Sequence, residues 1–483
     1  MSSVPRGRGG GGSEAEHAGG IGSVAIVLHS HMPYVEGFGT YPFGEEWLFD
    51  AILRSHLPVL ERARGVTVTV TPVLADQLEA PGVAARLREF ARVLRVEACE
   101  ADERDVEPPL RASCRAEAAR YGAALARLEE LGDDLLAIFG EPARSGRVEL
   151  LASAATHAVL PLLATAPARR LQIDAGLRSH RRRFGEPPGF WLPECAHEPG
   201  LDALLAEHGV GCFVSDQSAH EPAAAALAPA ATPGGPVALT IDWEAVAWLW
   251  SLDGYPSDPL HTDFHRKTLR GARPWAIGGG PHHPAAADAR AREQAREFVD
   301  GARERLAAFA AERGRPGLLT FAIDTELLGH WWWEGPAWLE EVQRVAPARG
   351  LELVTVSEAL RRHPPEARPL RRSSWGEGKN LRTWDSPQVA DLAWAARRLE
   401  LRLLRALGEG LRGAPAERAA RELLAVQSSD WAFLDRRAQA GDYAYERASR
   451  HGQALLEAID SGGRPDPRLR NLAPDLRLAP LLE

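Results

Sequence analysis

Phe190-Trp191-Leu192-Pro193-Glu194-Cys195-Ala196 is a short apolar run that stops at a single carboxylate. Before it, Gly185-Glu186-Pro187-Pro188-Gly189 reads as a turn. After it, Pro199-Gly200 opens a helical pattern of Leu201, Leu204 and Leu205 that closes at His208-Gly209. Glu194 thus sits where a strand gives way to a loop, the place in an α/β barrel where side chains from several strands meet. A lone glutamate there is ordinarily a capping or ion-paired group. A second stretch changes that reading. Leu319-Thr320-Phe321-Ala322-Ile323-Asp324-Thr325-Glu326 is another apolar run ending in acid, followed by Gly329-His330-Trp331-Trp332-Trp333-Glu334-Gly335. Two strand-end carboxylates among clustered aromatic rings fit chemistry on sugars. One acid attacks or stabilises, the other donates a proton, and flat rings stack on sugar faces.

Working outward, 483 residues exceed one ordinary domain, and two or three are expected. Apolar content of 45% and charged content of 25% are those of a soluble globular chain with a substantial core. A net charge of −9 argues against a nucleic-acid or acidic-membrane partner. Cys99, Cys114, Cys195 and Cys212 show no framework spacing, which suits a reducing, cytoplasmic compartment. Residues 1–20 are Gly- and Ser-rich without an apolar stretch, so they read as a disordered tail and not as a signal peptide. No run approaches the roughly 18 apolar residues of a membrane span.

Order begins at Ile21. Ser23–Leu28 is a buried-type strand running into His29-Ser30-His31-Met32-Pro33-Tyr34. Alternation puts His29 and His31 on one side, either as metal ligands or as partners of sugar hydroxyls, and no nearby Asp or Cys completes a metal set. A helix is expected from Pro42–Trp47 to about Arg64, and a second strand over Val66–Leu74. Residues 84–143 are helical throughout and read as an insertion into the barrel. The sheet resumes at Val148–Leu151, which leads to His157, and again at Cys212–Asp216. Residues 219–236, rich in Ala and Pro and without Phe, Tyr or Trp, read as a flexible surface loop. A long helical pattern over Ala285–Ala311 precedes the Asp324 strand, and Leu351–Val356 reads as the last barrel strand. Beyond Pro364-Pro365 the chain is helical, with aromatic islands at Trp375…Trp384 and at Ser428–Leu434.

In this order the blocks His29–Tyr34, Pro42–Trp47, Glu149 to His157, Trp191–Ala196, Gly254-Tyr255-Pro256, Asp324 to Gly335, Trp375–Gly378 and Ser428–Leu434 resemble the family-57 glycoside hydrolases. The resemblance is nearest to the 1,4-α-glucan branching enzymes with a C-terminal helical domain. It implies an α/β fold: an incomplete (β/α)7 barrel over 21–365 with a helical insertion at about 84–143, then an all-helical C-terminal domain over 366–483. By the same resemblance Glu194 matches the nucleophile and Asp324 the general acid/base of a retaining mechanism, with carboxyls ~5–5.5 Å apart. His29, His31, Tyr41 and His157 match residues that hold the sugar, Tyr41 standing where tryptophan is usual. Trp375, Trp384, Asp430 and Trp431 match the glucan-binding wall, and Glu326 and His330 are supporting candidates. No metal and no cofactor are implied, and the expected partner is an α-glucan polysaccharide. His197 replaces an aromatic residue, and 219–236 lacks the tyrosine that the branching enzymes carry in a loop over the cleft. The alternatives are a mainly hydrolytic α-glucanase or glucanotransferase of the same fold, and a glucan-binding protein without turnover.

Overall fold

A computed structural model describes residues 21–36, 43–460 and 471–482. The expected tail 1–20 and Tyr41 lie outside the described residues. Strand β1 (Gly22–Ser30) is buried along its whole length. Its apolar run suits a position with parallel neighbours on both edges and both faces covered. The other strands are β2 (Val66–Val70), β3 (Val148–Ser153), β4 (Phe190–Trp191), β5 (Cys212–Ser215), β6 (Ala230–Ala231), β7 (Val237–Thr240), β8 (Gly317–Asp324), β9 (Leu351–Leu353) and β10 (Glu366–Ala367). They form one sheet in the order β10-β6-β7-β5-β4-β3-β2-β1-β8. Seven of them, β1 to β5, β7 and β8, pair in parallel and make the incomplete (β/α)7 barrel. The ring is open between β7 and β8. One backbone bond spans that seam, from Asp242 N–H to Thr320 O at 2.9 Å.

Three expectations are corrected. The second strand stops at Val70, because Pro72 at the first turn starts the helix Pro72–Leu78. Leu351–Val356 does not extend the ring: only Leu351–Leu353 is a strand. It pairs with Gly22–Val24 of β1, while β2 pairs with Val27–Ser30. Residues 219–236 are not a free loop. Leu227, Ala228 and Ala230 are buried, β6 pairs with both β7 and β10, and the Arg368 guanidinium donates to the carbonyls of Ala225 and Ala228. Small apolar side chains make this stretch a filling for the open seam, where Leu227 joins the same core as Phe321 of β8.

The insertion consists of helices within Val83–Arg144, the longest being Arg111–Leu131. Buried Arg54 fastens it to the barrel by donating to Glu117 Oε1 at 3.2 Å and Tyr121 Oη at 3.0 Å. Gly176, in the helix Ala166–Phe184, meets the end of β3 so closely that a Cβ would lie 2.0 Å from Ser153 O. Only glycine fits there. The C-terminal helices Ala390–Gly408, Gly413–Val426 and Tyr443–Asp460 close over the barrel through one core shared with Tyr34, Val73, Ala155 and Leu171. Leu403, Leu423, Leu424 and Leu455 are fully buried in it, each contributing ~1.5–3 kcal/mol. That core holds the helices against the ends of β1 and β3.

Candidate active site

The site is built where β1, β3, β4 and β8 end. Register places His29 of β1 beside Asp324 of β8. Pleating then brings His31 to the same face as His29. β3 delivers His157 after a short turn, and β4 delivers Glu194.

Glu194 is reached by an unusual backbone. Its φ is 58° and ψ 20°, and Cys195 follows at φ 49°. Non-glycine residues rarely enter this left-handed region, which costs about 1 kcal/mol or more per residue and persists only where the surroundings hold it. Here Cys195 N–H bonds Leu192 O at 2.8 Å, Ala196 N–H bonds Pro193 O at 3.0 Å, and Trp375 N–H bonds Glu194 O at 3.0 Å. His157, at φ 57°, is held in the same region. Two of the expected site residues therefore stand on strained backbone.

Three imidazoles stack beside the carboxylate. His31 and His157 have ring centroids 4.1 Å apart, His29 and His157 4.8 Å, and His29 lies on the Trp191 ring at 4.4 Å. His29 Nε2 and His157 Nε2 are 3.0 Å apart, and His157 Nδ1 is 2.9 Å from Ser429 Oγ and 3.6 Å from Glu194 Oε1. His29 Nδ1 has no partner among the described residues. A proton on Nδ1 of His29 would be a buried, unsatisfied donor, so the consistent assignment protonates His29 at Nε2 and His157 at Nδ1. His157 then donates toward Ser429 and Glu194. His31 is bound differently: Nδ1 to Thr71 Oγ1 at 3.1 Å, and Nε2 to both oxygens of Asp430 at 3.0 and 3.1 Å.

Charge follows from these partners. Burial, with His31 adding to it, pushes His29 and His157 well below the usual imidazole range, so both are neutral. Burial opposes charge on His31 as well, but the Asp430 carboxylate outweighs it and raises His31. Burial pushes Glu194 up to about 7, against the opposing pull of the Trp375 indole, whose Nε1–H donates to Oε2 at 2.8 Å. Burial also raises Asp324 well above the usual carboxylate range, and the charges of Glu326 and Glu194 add to it. No side chain among the described residues donates to Asp324.

The structure thus brings His29, His31, His157, Glu194, Asp324, Trp375 and Asp430 together. It does not bring the remaining described candidates to an open surface. The Trp431 ring is 1% exposed, donates to Ala425 O at 2.7 Å and stacks on His451, so it is core of the helical domain. Trp384 is 3% exposed and packs on Val159, Ala196 and Leu381. Both border a largely apolar, partly open pocket that Leu162, Leu392 and Val426 also line. Glu326 accepts from His31 N–H at 3.2 Å and meets His56 Nε2 at 2.7 Å. His330 is half-buried, with its ring edge-on to Phe264 at 5.7 Å. Sequence alone does not single out Ser429, whose role rests on a contact with His157 across 272 residues. It also misses His56, set in a π-helical turn, Ile52–His56, an insertion often found at functional sites. Among the described residues no group of His, Cys, Asp or Glu is arranged to hold a metal ion, and no helix is long and apolar enough to cross a membrane. All four cysteines are free and buried.

Comparison with known proteins agrees in both halves of the chain. The model of glycosyl hydrolase family 57 matches residues 25–370, and that of the 1,4-alpha-glucan branching enzyme C-terminal region matches residues 393–473. A probable 1,4-alpha-glucan branching enzyme of Mycobacterium tuberculosis is 32% identical, over 92% of this chain and 94% of its own. A 1,4-alpha-glucan branching enzyme of Thermococcus kodakarensis is 31% identical, over 89% of this chain and 72% of its own. Among solved structures, the branching enzyme of Pyrococcus horikoshii superposes with a TM-score of 0.89 at 28% identity, covering 95% of this chain and 97% of that one. The α-amylase AmyC of Thermotoga maritima, with a TM-score of 0.84 at 24% identity, covering 96% and 99%, shares the fold. With a matched region that includes both strand-end carboxylates and the barrel from within β1 onward, the chain belongs to glycosyl hydrolase family 57.

Proposed function

We propose that the protein is a retaining α-glucan enzyme of the branching type, which cleaves α-1,4 linkages and transfers the released chain to form α-1,6 branches. The observation that carries this reading is the unequal treatment of two buried carboxylates, on a chain whose relatives are named branching enzymes. The Glu194 charge adds to what keeps the proton on Asp324. His31 favours the charged form of both, but Glu194 also has hydrogen bonds from the Trp375 indole and Ser429 against the one like charge of Asp430. Asp324 has no side-chain donor among the described residues and the like charges of Glu326 and Glu194 beside it. The proton therefore rests on Asp324.

That distribution suits the chemistry. Glu194, ionised, attacks the anomeric carbon while Asp324 protonates the departing glycosidic oxygen. In the second half Asp324, now ionised, takes the proton of the incoming hydroxyl as that oxygen displaces Glu194. His29 and His157, neutral and stacked, are hydrogen-bond partners for donor-sugar hydroxyls, and Ser429 and Asp430 bring the helical domain into the same site. Trp375 is the member of the expected glucan-binding wall that touches the nucleophile. The deciding experiment incubates the protein with amylose and counts new α-1,6 linkages against new reducing ends. Branches in excess of reducing ends are expected, whereas reducing ends alone would leave the hydrolytic alternative. Neither product, with amylose retained, would leave a glucan-binding protein.

The reading places the protein in the synthesis of glycogen-like polysaccharide. A cytoplasmic location fits its four free cysteines.

A further inference from the structure

Lys267 and Lys379 are the only two lysines among 57 basic side chains, and one of them lies beside the nucleophile. Lys379 Nζ donates to Asp216 Oδ2 at 2.8 Å, and its ammonium also rests on the face of the Trp243 indole. Asp216 is completely buried at the end of β5, and its other oxygen, Oδ1, accepts from Ser218 N–H at 2.8 Å.

The backbone of Lys379 is itself constrained, at φ 55°. Between Ser373 and Asn380 the chain makes a closed loop. Lys379 N–H bonds Gly376 O at 2.9 Å, and Gly376 N–H bonds Ser374 Oγ at 3.1 Å. Ser373 holds one end of this loop, exchanging backbone bonds of 3.0 Å with His197 and donating its hydroxyl to Asp216 O. Lys379 holds the other end. Between them stands Trp375, whose backbone and indole N–H groups both bond Glu194. No cation other than Lys379 pairs with Asp216 among the described residues.

We infer that Lys379 is a positioning residue for the nucleophile: paired with Asp216, it clamps the loop that holds the Trp375 indole on Glu194. The inference rests on Glu194 acting as the proposed nucleophile. Without the ammonium the loop keeps its internal bonds, from Ser374 to Asn380 O and Lys379 O, but loses its side-chain anchor on Asp216. The indole N–H then loses its fixed aim, and the carboxylate the bond that favours its charged form. Glu194 then ionises at higher pH. The groups facing it are otherwise unchanged: His157, His31, Asp430, Asp324 and Ser429 belong to other segments. Those facing Lys379 are Asp216, Cys195 and Trp243.

The test is the pH dependence of kcat/KM on a maltooligoside with a good leaving group, for which the acid limb follows ionisation of the nucleophile. Lys379→Met is compared with Trp375→Phe, which deletes the indole donor directly, and with the double variant. The limb is expected to rise by about one unit in either single variant, with roughly tenfold lower kcat/KM on its acid side. The double variant should move it no further, because both substitutions remove one interaction. Lys379→Arg, which keeps the cation, should leave the limb close to its unaltered place. A limb that stays in place in Lys379→Met, whatever the loss of Tm, overturns the assignment, as do shifts that add in the double variant. Should Lys379→Met fail to fold because Asp216 is left as a buried lone charge, Asp216→Asn/Lys379→Met removes both charges and is read by the same criterion. Retained turnover in Glu194→Gln would overturn the proposed function and this inference together. An inactive Glu194→Gln with an unmoved limb in Lys379→Met overturns only the inference.

Discussion

Glu194 and Asp324 share one desolvated space, yet their substitution should have different signatures. Glu194→Gln keeps the shape and an oxygen for the Trp375 indole but removes nucleophilicity, so turnover should fall by at least ~10³-fold while amylose retention in a native gel is unchanged. It should also stabilise. A carboxyl near 7 in the folded chain and 4.5 unfolded binds its proton more tightly when folded. Its contribution is therefore fully present below about pH 4.5 and lost as pH rises through about 7. At pH 8 the charge opposes folding, and Glu194→Gln should gain about 1–3 kcal/mol, seen as a rise in Tm that vanishes at pH 4. An equal Tm for both proteins at pH 8 would contradict the buried-charge account. Asp324→Asn should be as damaging on amylose. With a good leaving group its first step needs little proton assistance, so release of an activated aglycone should survive better than polysaccharide cleavage. Equal losses on both substrates would take the acid role from Asp324. The histidines of the His29–His31 pair face His157 and Asp430, so exhaustive chelation should leave activity intact. A stoichiometric zinc lost together with activity would reverse that reading.

Helices from the C-terminal half complete a site that the strands only begin. The helix Ser429–Arg436 places Asp430 on His31, and the pair is largely buried at both side chains. Because His31 is raised by Asp430, the pair stabilises fully below about pH 6.5 and ceases to do so as pH climbs through the folded value of His31. Asp430→Asn should therefore lower Tm most near pH 6, by the equivalent of about 1–2 kcal/mol, and progressively less toward pH 9. A Tm difference independent of pH would mean that His31 is neutral throughout. Such element-level detail was unevenly legible. β1 and β8 stand out because a continuous apolar run breaks abruptly into His or acid, and the insertion because Ala, Leu, Arg and Glu recur at helical spacing. β2 was overrun since Val73 and Leu74 continue the apolar pattern past Pro72, and only the proline marks the change of element. Trp384 and Trp431 enter the expected wall only through the family resemblance, since a tryptophan looks the same in sequence whether its ring is packed or bare. Ser429 had no signal of its own, since its partner lies in another half of the chain.

For the whole molecule, on the proposed mechanism the outcome of catalysis turns on what resolves a glycosyl-enzyme at Glu194, and the open seam of the barrel bears on this. Water and a glucan hydroxyl compete, and transfer wins only where the cleft excludes the one and positions the other. The stretch 219–236 is spent on a different task. Leu227, Ala228 and Ala230 fill the gap between β7 and β8, and His220 Nε2 is tied to Arg372 O at 3.0 Å, so the segment has neither a Phe, Tyr or Trp ring nor the slack to close over an acceptor. A higher proportion of hydrolysis to transfer is therefore expected than in a branching enzyme with a tyrosine over the cleft. Position matters for the remedy. At exposed Ala219 or Ala223 a tyrosine costs little folding free energy and should move the ratio toward transfer without raising total bond cleavage. At buried Ala228 or Ala230 the same ring overpacks the seam and should cost about 1–3 kcal/mol of stability. Linkage counts on amylose, with Tm for each variant, separate these effects. If the unaltered protein yields almost pure α-1,6 branches with negligible reducing ends, the seam has no say in the outcome. The acceptor must then be held from the helical side of the cleft, where Trp375 is the ring already in place on Glu194.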